Sequence, residues 1–253
     1  FLYFVMDFAP GGDLFTKMKR KKPTREEAVQ IAAEVMLALE HLHLHNIIYR
    51  DLKPENILID EAGHVKVADM GLAKVLKDGE RTMTFCGTES YIAPEIIHRK
   101  PYSKSVDFWQ YGCFVFELYC GRSPFWRPRH LRQNLHETIT SGVYKSPSSV
   151  PTIARSLIAQ LLQVELSQRL GCGPEGWAAL KYDPYFGGIQ IDDMVDNSTR
   201  DEVVKMDEEK LRMQVVNFDS MFTSAPAQWR GSASKPVHSD LFKDDLMGFD
   251  LVC

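Results

Sequence analysis

Hydrophobic residues recur along the chain at two periods, and each change of period marks an element. Residues 1–7 are a run of β-formers that predicts a buried strand. Ala9-Pro10-Gly11-Gly12 breaks the run, and residues 13–20 read as a short helix. Thr24 followed by Glu27 has the spacing of a capping box. Val29, Ala32, Ala33, Met36, Leu39 and Leu42 then lay an apolar stripe at helical period to about His43. Ile47-Ile48 and Ile57-Leu58-Ile59 predict short buried strands, residues 60–63 a hairpin turn and residues 65–68 a returning strand. The stretch from Asp69 to Glu95 is polar and too irregular for helix or strand. Residues 106–120 are apolar nearly all round, which predicts a buried central helix closed by Gly121. Residues 131–141, 153–163 and 177–181 read as further helices. From Gly187 acidic and polar residues dominate and periodicity fades, so residues 187–253 read as an extended tail laid along a surface.

The polar residues between the strands at 47–48 and 57–59 stand on a loop held at both ends by core, a rigid platform for chemistry. That loop reads Tyr49-Arg50-Asp51-Leu52-Lys53-Pro54-Glu55-Asn56. A hairpin later comes Asp69-Met70-Gly71, so Asp51 and Asp69 can converge on one mouth of the fold. The set suits phosphoryl transfer, which needs a carboxylate for the acceptor hydroxyl, cations for developing charge and hard oxygen ligands. Asp51 fits the base, Lys53 the transferred group, and Asn56 with Asp69 a Mg²⁺ ion rather than zinc. Any one of these residues alone reads as a turn or cap. Asp51, Lys53, Asn56, Asp69, Gly71 and Ala93-Pro94-Glu95 in this order do not. His41, His43 and His45 crowd one helix end, and they read as surface or helix-end residues rather than metal ligands.

Composition narrows the class. The 253 residues carry a net charge of −4 and are 44% hydrophobic, which allows a large core and gives no reason to expect a nucleic-acid surface. The basic run at residues 19–22 reads as a solvated turn. No apolar run approaches the roughly 18 residues that span a bilayer. Five cysteines without paired spacing predict reduced thiols and a cytoplasmic or nuclear home. The chain opens on Phe1 in what reads as an interior strand, so the natural protein is expected to begin earlier.

The Arg-Asp-x-Lys-x-x-Asn spacing, Asp69-x-Gly71 and Ala93-Pro94-Glu95 resemble the C-terminal lobe of a eukaryotic protein kinase. Tyr49 in the place where His is commoner, and Thr84-Phe85-Cys86-Gly87-Thr88, resemble the AGC group of Ser/Thr kinases. The resemblance implies an α+β, kinase-like fold: a mostly helical lobe with a short β-hairpin region over residues 1–186, then an AGC-like tail over 187–253. It implies ATP-dependent phosphorylation of Ser or Thr in protein substrates. Met6, Phe8 and Ala9 become the adenine hinge, with Leu58 under the purine. Arg50 and Lys74 become a pocket for phosphorylated Thr84, which an upstream kinase would modify. Asp107 anchors the catalytic loop, and Glu95 pairs with Arg169 in a buried ion pair. Asp13, Glu55 and Glu117 become acids that select Arg N-terminal to the target, against the plainer reading of surface charge. Lys53 and Thr88 favour Ser/Thr over Tyr acceptors. Residues 218–222 resemble a tail segment that crosses the nucleotide site, and residues 246–251 a hydrophobic motif.

The same resemblance puts a Gly-rich loop, an ATP lysine and its glutamate partner before the hinge, and residues 1–253 contain none of them. The chain is therefore expected to be an N-terminally incomplete, monomeric kinase, inactive by itself. The alternative is an inactive lobe that acts as a binding module; a small-molecule phosphotransferase ranks behind both.

Overall fold

The computed structural model describes residues 6–128 and 133–189, together with Ile191 and Met194. Gly12–Asp13 (β1) leads directly into Leu14–Arg20 (α1), whose first turn is capped by the Asp13 carboxylate accepting from Thr16 N at 2.7 Å. The long helix Arg25–Leu44 (α2) opens with the capping box that Thr24 and Glu27 predict: both reciprocal bonds form. Short strands follow at Ile47–Ile48 (β2), Ile57–Ile59 (β3), Val65–Val67 (β4) and Lys74–Val75 (β5). Strands β1, β3 and β4 form one antiparallel sheet, with Asp13 opposite Leu58 and Leu58 opposite Lys66. Strand β2 pairs with β5, Ile48 opposite Lys74. The Glu34 carboxylate ties α2 to the β3–β4 hairpin, accepting from Val65 N at 2.7 Å and meeting His64 Nδ1 at 2.8 Å.

The helical remainder is Pro94–Ile97 (α3), Ser105–Cys120 (α4), Leu135–Ser141 (α5), Thr152–Leu161 (α6) and Trp177–Lys181 (α7). Helix α4 is the centre of the core. Trp109, Tyr111 and Phe114 on it are fully buried, and side chains of this kind each contribute roughly 1.5–3 kcal/mol. Gly112 lets α6 approach: a Cβ there would stand 2.8 Å from Leu161 Cβ. Gly121 ends the helix in the left-handed conformation at φ 69°, as its sequence position predicts. Tyr111 Oη donates to Ala32 O at 2.7 Å, joining α4 to α2.

Four local expectations change. Met6 and Asp7 are exposed and outside any strand, because β-propensity there has no neighbouring strand among the described residues. Helix α5 begins at Leu135 rather than 131, after a short 3-10 stretch. The irregular stretch after Asp69 contains β5 and a 3-10 turn, Glu89–Tyr91. The fourth is His43, which lies in the last turn of α2, at the helix end as expected, but is only 4% exposed and so is no surface residue. The tail segments at residues 218–222 and 246–251 lie outside the described residues.

Arg169 binds the loop after α6 to α3. Its guanidinium meets Glu95 in a two-pronged pair, Nη1 to Oε1 at 2.7 Å and Nη2 to Oε2 at 3.0 Å. Nε donates to Gln163 O at 2.9 Å and Nη1 also to Ser105 O at 3.0 Å, while Ser105 Oγ donates to Glu95 Oε1 at 2.9 Å. Both residues are buried, so removing one partner strands a charge. Glu95→Gln or Arg169→Met is expected to lower unfolding free energy by about 3–5 kcal/mol in urea titrations. Replacing both by apolar residues of similar volume should recover most of that loss; an equal loss in the double variant would refute the stranded-charge account.

Candidate active site

The catalytic-loop candidates are gathered by helix α4, not by the strands alone. Asp107, in its first turn, is fully buried and its carboxylate receives three donors. Tyr49 N reaches Oδ2 at 2.9 Å, Arg50 N reaches Oδ1 at 2.8 Å, and His43 Nε2 lies 2.7 Å from Oδ2. One helical turn on, Gln110 extends the grip: its Oε1 accepts from Leu52 N at 3.1 Å and its Nε2 donates to Arg50 O at 2.8 Å. Arg50 sits at φ 70°, a left-handed conformation that costs a non-glycine residue of order 1 kcal/mol. The bonds to Asp107 and Gln110 on both sides of its peptide hold it there.

Asp51 follows, buried, and donors converge on its carboxylate. Lys53 Nζ reaches Oδ2 at 2.7 Å, Asn56 Nδ2 reaches the same oxygen at 3.0 Å, and Thr88 Oγ1 donates to Oδ1 at 2.7 Å. Lys53 Nζ also donates to Thr88 Oγ1 at 3.1 Å. The Asn56 amide nitrogen is further committed to Asp51 O at 2.8 Å, so its carbonyl Oδ1 is the atom it can offer a cation.

Tyr49 ties this loop to the segment before Asp69. Its hydroxyl donates to Ala68 O at 2.5 Å, and Ala68 N donates to Asn56 O at 2.9 Å. Burial, with the negative charges of Asp51, Asp69 and Asp107 nearby, pushes the Tyr49 phenol well above its ordinary range, so it stays a donor. Asp69 is exposed at φ 56°, with Oδ1 accepting from Gly71 N at 3.0 Å. Asn56 and Asp69 therefore offer one carboxamide and one carboxylate oxygen set. That fits Mg²⁺, which is held by one or two carboxylates plus phosphate oxygens and water. Among the described residues no three His, Cys, Asp or Glu cluster into an all-protein metal cage.

The activation-segment candidates also meet. Tyr102 Oη donates to Thr84 O at 2.7 Å and receives Arg50 Nη1 at 3.3 Å. Arg50 Nε donates to Leu72 O at 2.6 Å. Lys74 Nζ donates to Thr82 Oγ1 at 3.1 Å, and that hydroxyl lies 3.2 Å from Thr84 Oγ1. Thr84 is exposed beside these two basic residues.

The three candidate substrate acids differ from one another. Asp13 is half-buried and caps α1, and Glu55 is exposed. Glu117 is only 6% exposed and accepts from Tyr91 Oη at 2.5 Å. Burial pushes the Glu117 carboxyl up to about 7; the Tyr91 bond opposes this and the Glu55 charge adds to it. Plain surface charge does not describe Glu117. In the hinge stretch Met6 and Phe8 are exposed and Ala9 is buried, Ala9 O accepting from Gly12 N at 3.1 Å. That turn leads into β1, whose Asp13 stands opposite Leu58 of β3.

Sequence reasoning missed His43, Tyr91, Tyr102, Gln110 and Trp177. Two carried a signal. Asp107 and Gln110 stand three apart in an otherwise apolar helix, the mark of one polar seam. His43 falls four after Leu39 and seven after Met36, on the apolar stripe of α2. A cavity of about 660 Å³ lies apart from the loop; its walls include His43, Phe108, Cys172 and Trp177 but not Asp51, Asn56 or Asp69.

Comparison with known proteins shows the family. The family described as Protein kinase domain matches residues 1–186. The chain is 42% identical over 190 residues to cAMP-dependent protein kinase catalytic subunit 2 of Drosophila melanogaster, covering 75% of this chain and 53% of that protein. It is 39% identical to the RAC-beta serine/threonine-protein kinase of Homo sapiens, over 77% of this chain and 40% of the relative. Serine/threonine-protein kinase akt-1 of Caenorhabditis elegans is 38% identical over 232 residues, 90% of this chain and 42% of that protein. The chain thus spans about half, or less, of the length of the curated relatives it matches. With a family match over most of its length and relatives of this kind, the chain belongs to the protein kinase domain family, within the AGC group of serine/threonine kinases.

Proposed function

We propose that this chain carries the catalytic lobe of an enzyme that transfers a phosphoryl group from ATP to Ser or Thr in proteins, with a preference for basic residues N-terminal to the target. The observation that carries the reading is the Asp51 carboxylate with Lys53, Asn56 and Thr88 converging on it at 2.7–3.0 Å. Asp51 orients the acceptor hydroxyl and takes its proton; Oδ1, which among the described residues accepts from Thr88 Oγ1 alone, is the oxygen with room for that bond. Lys53 keeps its positive charge beside the reacting oxygens. Asn56 and Asp69 would hold Mg²⁺, which would neutralise charge on the phosphates of ATP. Met6, Phe8, Ala9 and Leu58 would hold the adenine. Phosphate on Thr84, added by an upstream kinase, pairs with Arg50 and Lys74 and orders the segment that bears Thr88. Residues 1–186 form the catalytic unit and 187–253 an AGC-type extension. The protein acts as a monomer in the cytoplasm; four described cysteines are free thiols, and no described helix is long and apolar enough to cross a membrane.

Glu117 supplies the preference for basic substrates, with Asp13 and Glu55. A guanidinium entering beside Glu117 meets a carboxyl that burial has kept near neutral, and it draws out the proton.

Two tests follow from this reading. In the full-length protein, Asp51→Asn is expected to lower peptide phosphorylation by about 10²–10⁴-fold with ATP binding retained. Transfer at the wild-type rate would remove Asp51 from its role, and an inactive wild type of proven fold would favour a binding module. The second test is pH dependence. A folded-state value near 7, above the ordinary 4.5, means that Glu117 favours folding below about pH 4.5 and that this contribution is lost as pH rises through 7. Glu117→Gln is therefore expected to stabilise the protein above pH 7, by up to about 3 kcal/mol in urea titrations. KM for Arg-bearing peptides is expected to rise as pH falls below 7 in wild type. In Glu117→Gln it should be high at every pH, while KM for peptides without Arg stays level.

A further inference from the structure

Trp177, on the short helix α7, sits far along the sequence from the catalytic loop, yet its indole touches the group that holds it. Trp177 Nε1 lies 2.8 Å from His43 Nδ1, and both residues are buried. An indole nitrogen can only donate, so His43 Nδ1 must present a lone pair. The proton of a neutral ring then rests on Nε2, the atom 2.7 Å from Asp107 Oδ2. Asp107, as a carboxylate, can only accept, so the two contacts agree on one tautomer. Phe108 packs edge-on against the ring, with centroids 5.6 Å apart.

We infer that Trp177 is a positioning residue: its N–H holds His43 neutral, in the tautomer that donates to Asp107, and so fixes the amides of Tyr49 and Arg50 next to Asp51. The chain of contacts is continuous. Asp107 Oδ2 is shared by His43 Nε2 and Tyr49 N, and Oδ1 takes Arg50 N. Without the indole N–H, Nδ1 is free to take a proton. An imidazolium beside Asp107 draws the carboxylate toward itself and loosens its hold on the two amides. The other charged groups around this site are few: Glu40, Arg81, Lys104 and Glu175 line the adjoining cavity, and Glu40 is engaged by Lys181 at 2.6 Å. His43 and Trp177 both line the adjoining cavity of about 660 Å³, so truncation of Trp177 to Ala would enlarge that cavity beside His43, and Phe is the informative replacement.

The kinetic consequence rests on the phosphoryl-transfer reading; the tautomer does not. In ¹⁵N-histidine-labelled full-length wild type, long-range ¹H–¹⁵N spectra at about pH 8 are expected to find the His43 ring carrying its proton on Nε2. A proton on Nδ1 there overturns the inference whatever the enzyme's activity. In Trp177→Phe, which keeps an aromatic ring and loses the donor, His43 is expected to take up a proton as pH falls. The kcat for peptide phosphorylation should then fall about fivefold at pH 6 relative to wild type, the scale of one lost hydrogen bond, with KM for ATP unchanged. Adding His43→Gln should abolish that acid-side fall, since an amide donates to Asp107 and does not titrate. Equal losses at all pH values, or a fall that persists with His43→Gln, would reduce Trp177 to packing and refute the positioning role.

Discussion

The Asp107 carboxylate is the constraint on which the site depends. It is wholly buried, and an uncompensated charge there would be ruinous, so its oxygens must be filled. They are filled by two consecutive loop amides and an imidazole. The consequence runs outward: Arg50 is held in a left-handed conformation, and the next residue, Asp51, is delivered to a fixed place at the surface of a packed helix. A catalytic loop needs rigidity that loop backbone does not possess, and a buried acceptor in the central helix supplies it.

Buried charge is handled in two ways within one core. Arg169 and Glu95 are neutralised by one another and by carbonyl and hydroxyl partners, a closed set that joins α3 to the loop after α6. Glu117 has no such cation; its bond comes from Tyr91, a neutral phenol that burial keeps protonated. A carboxyl without a cation in a dry site becomes reluctant to ionise. The first arrangement closes on itself, whereas the second leaves a carboxyl that burial holds near neutral. Tyr91 lies in the 3-10 turn that follows Thr88, so the Glu117 contact and the Thr88–Asp51 contact share one short segment.

Local sequence carried much of this. The Thr24–Glu27 capping box, the Gly121 stop, the strands beside the catalytic loop and Trp177–Lys181 all depend on neighbours within a few residues, and all were legible. The proximity of Asp51, Lys53 and Asn56 was legible too, because they lie within six residues of one another on a loop held between two strands. The strand reading for Met6 and Asp7 was misled by propensity, which measures fit to a pleated surface rather than an intrinsic state. His43 was misplaced because three histidines near a helix end resemble a solvated terminus, and only its phase on the apolar stripe separates it from His41 and His45.

By itself the sequence determined the elements, their order and the chemical inventory of the loop, since period, caps and short spacings are properties of neighbouring residues. Tertiary structure decided what is 58 to 134 residues apart: Asp107 to Tyr49, Gln110 to Leu52, Arg169 to Glu95 and Trp177 to His43. It also decided charge state, because whether Glu117 ionises or His43 holds its proton on Nε2 depends on partners that only folding brings within 3 Å.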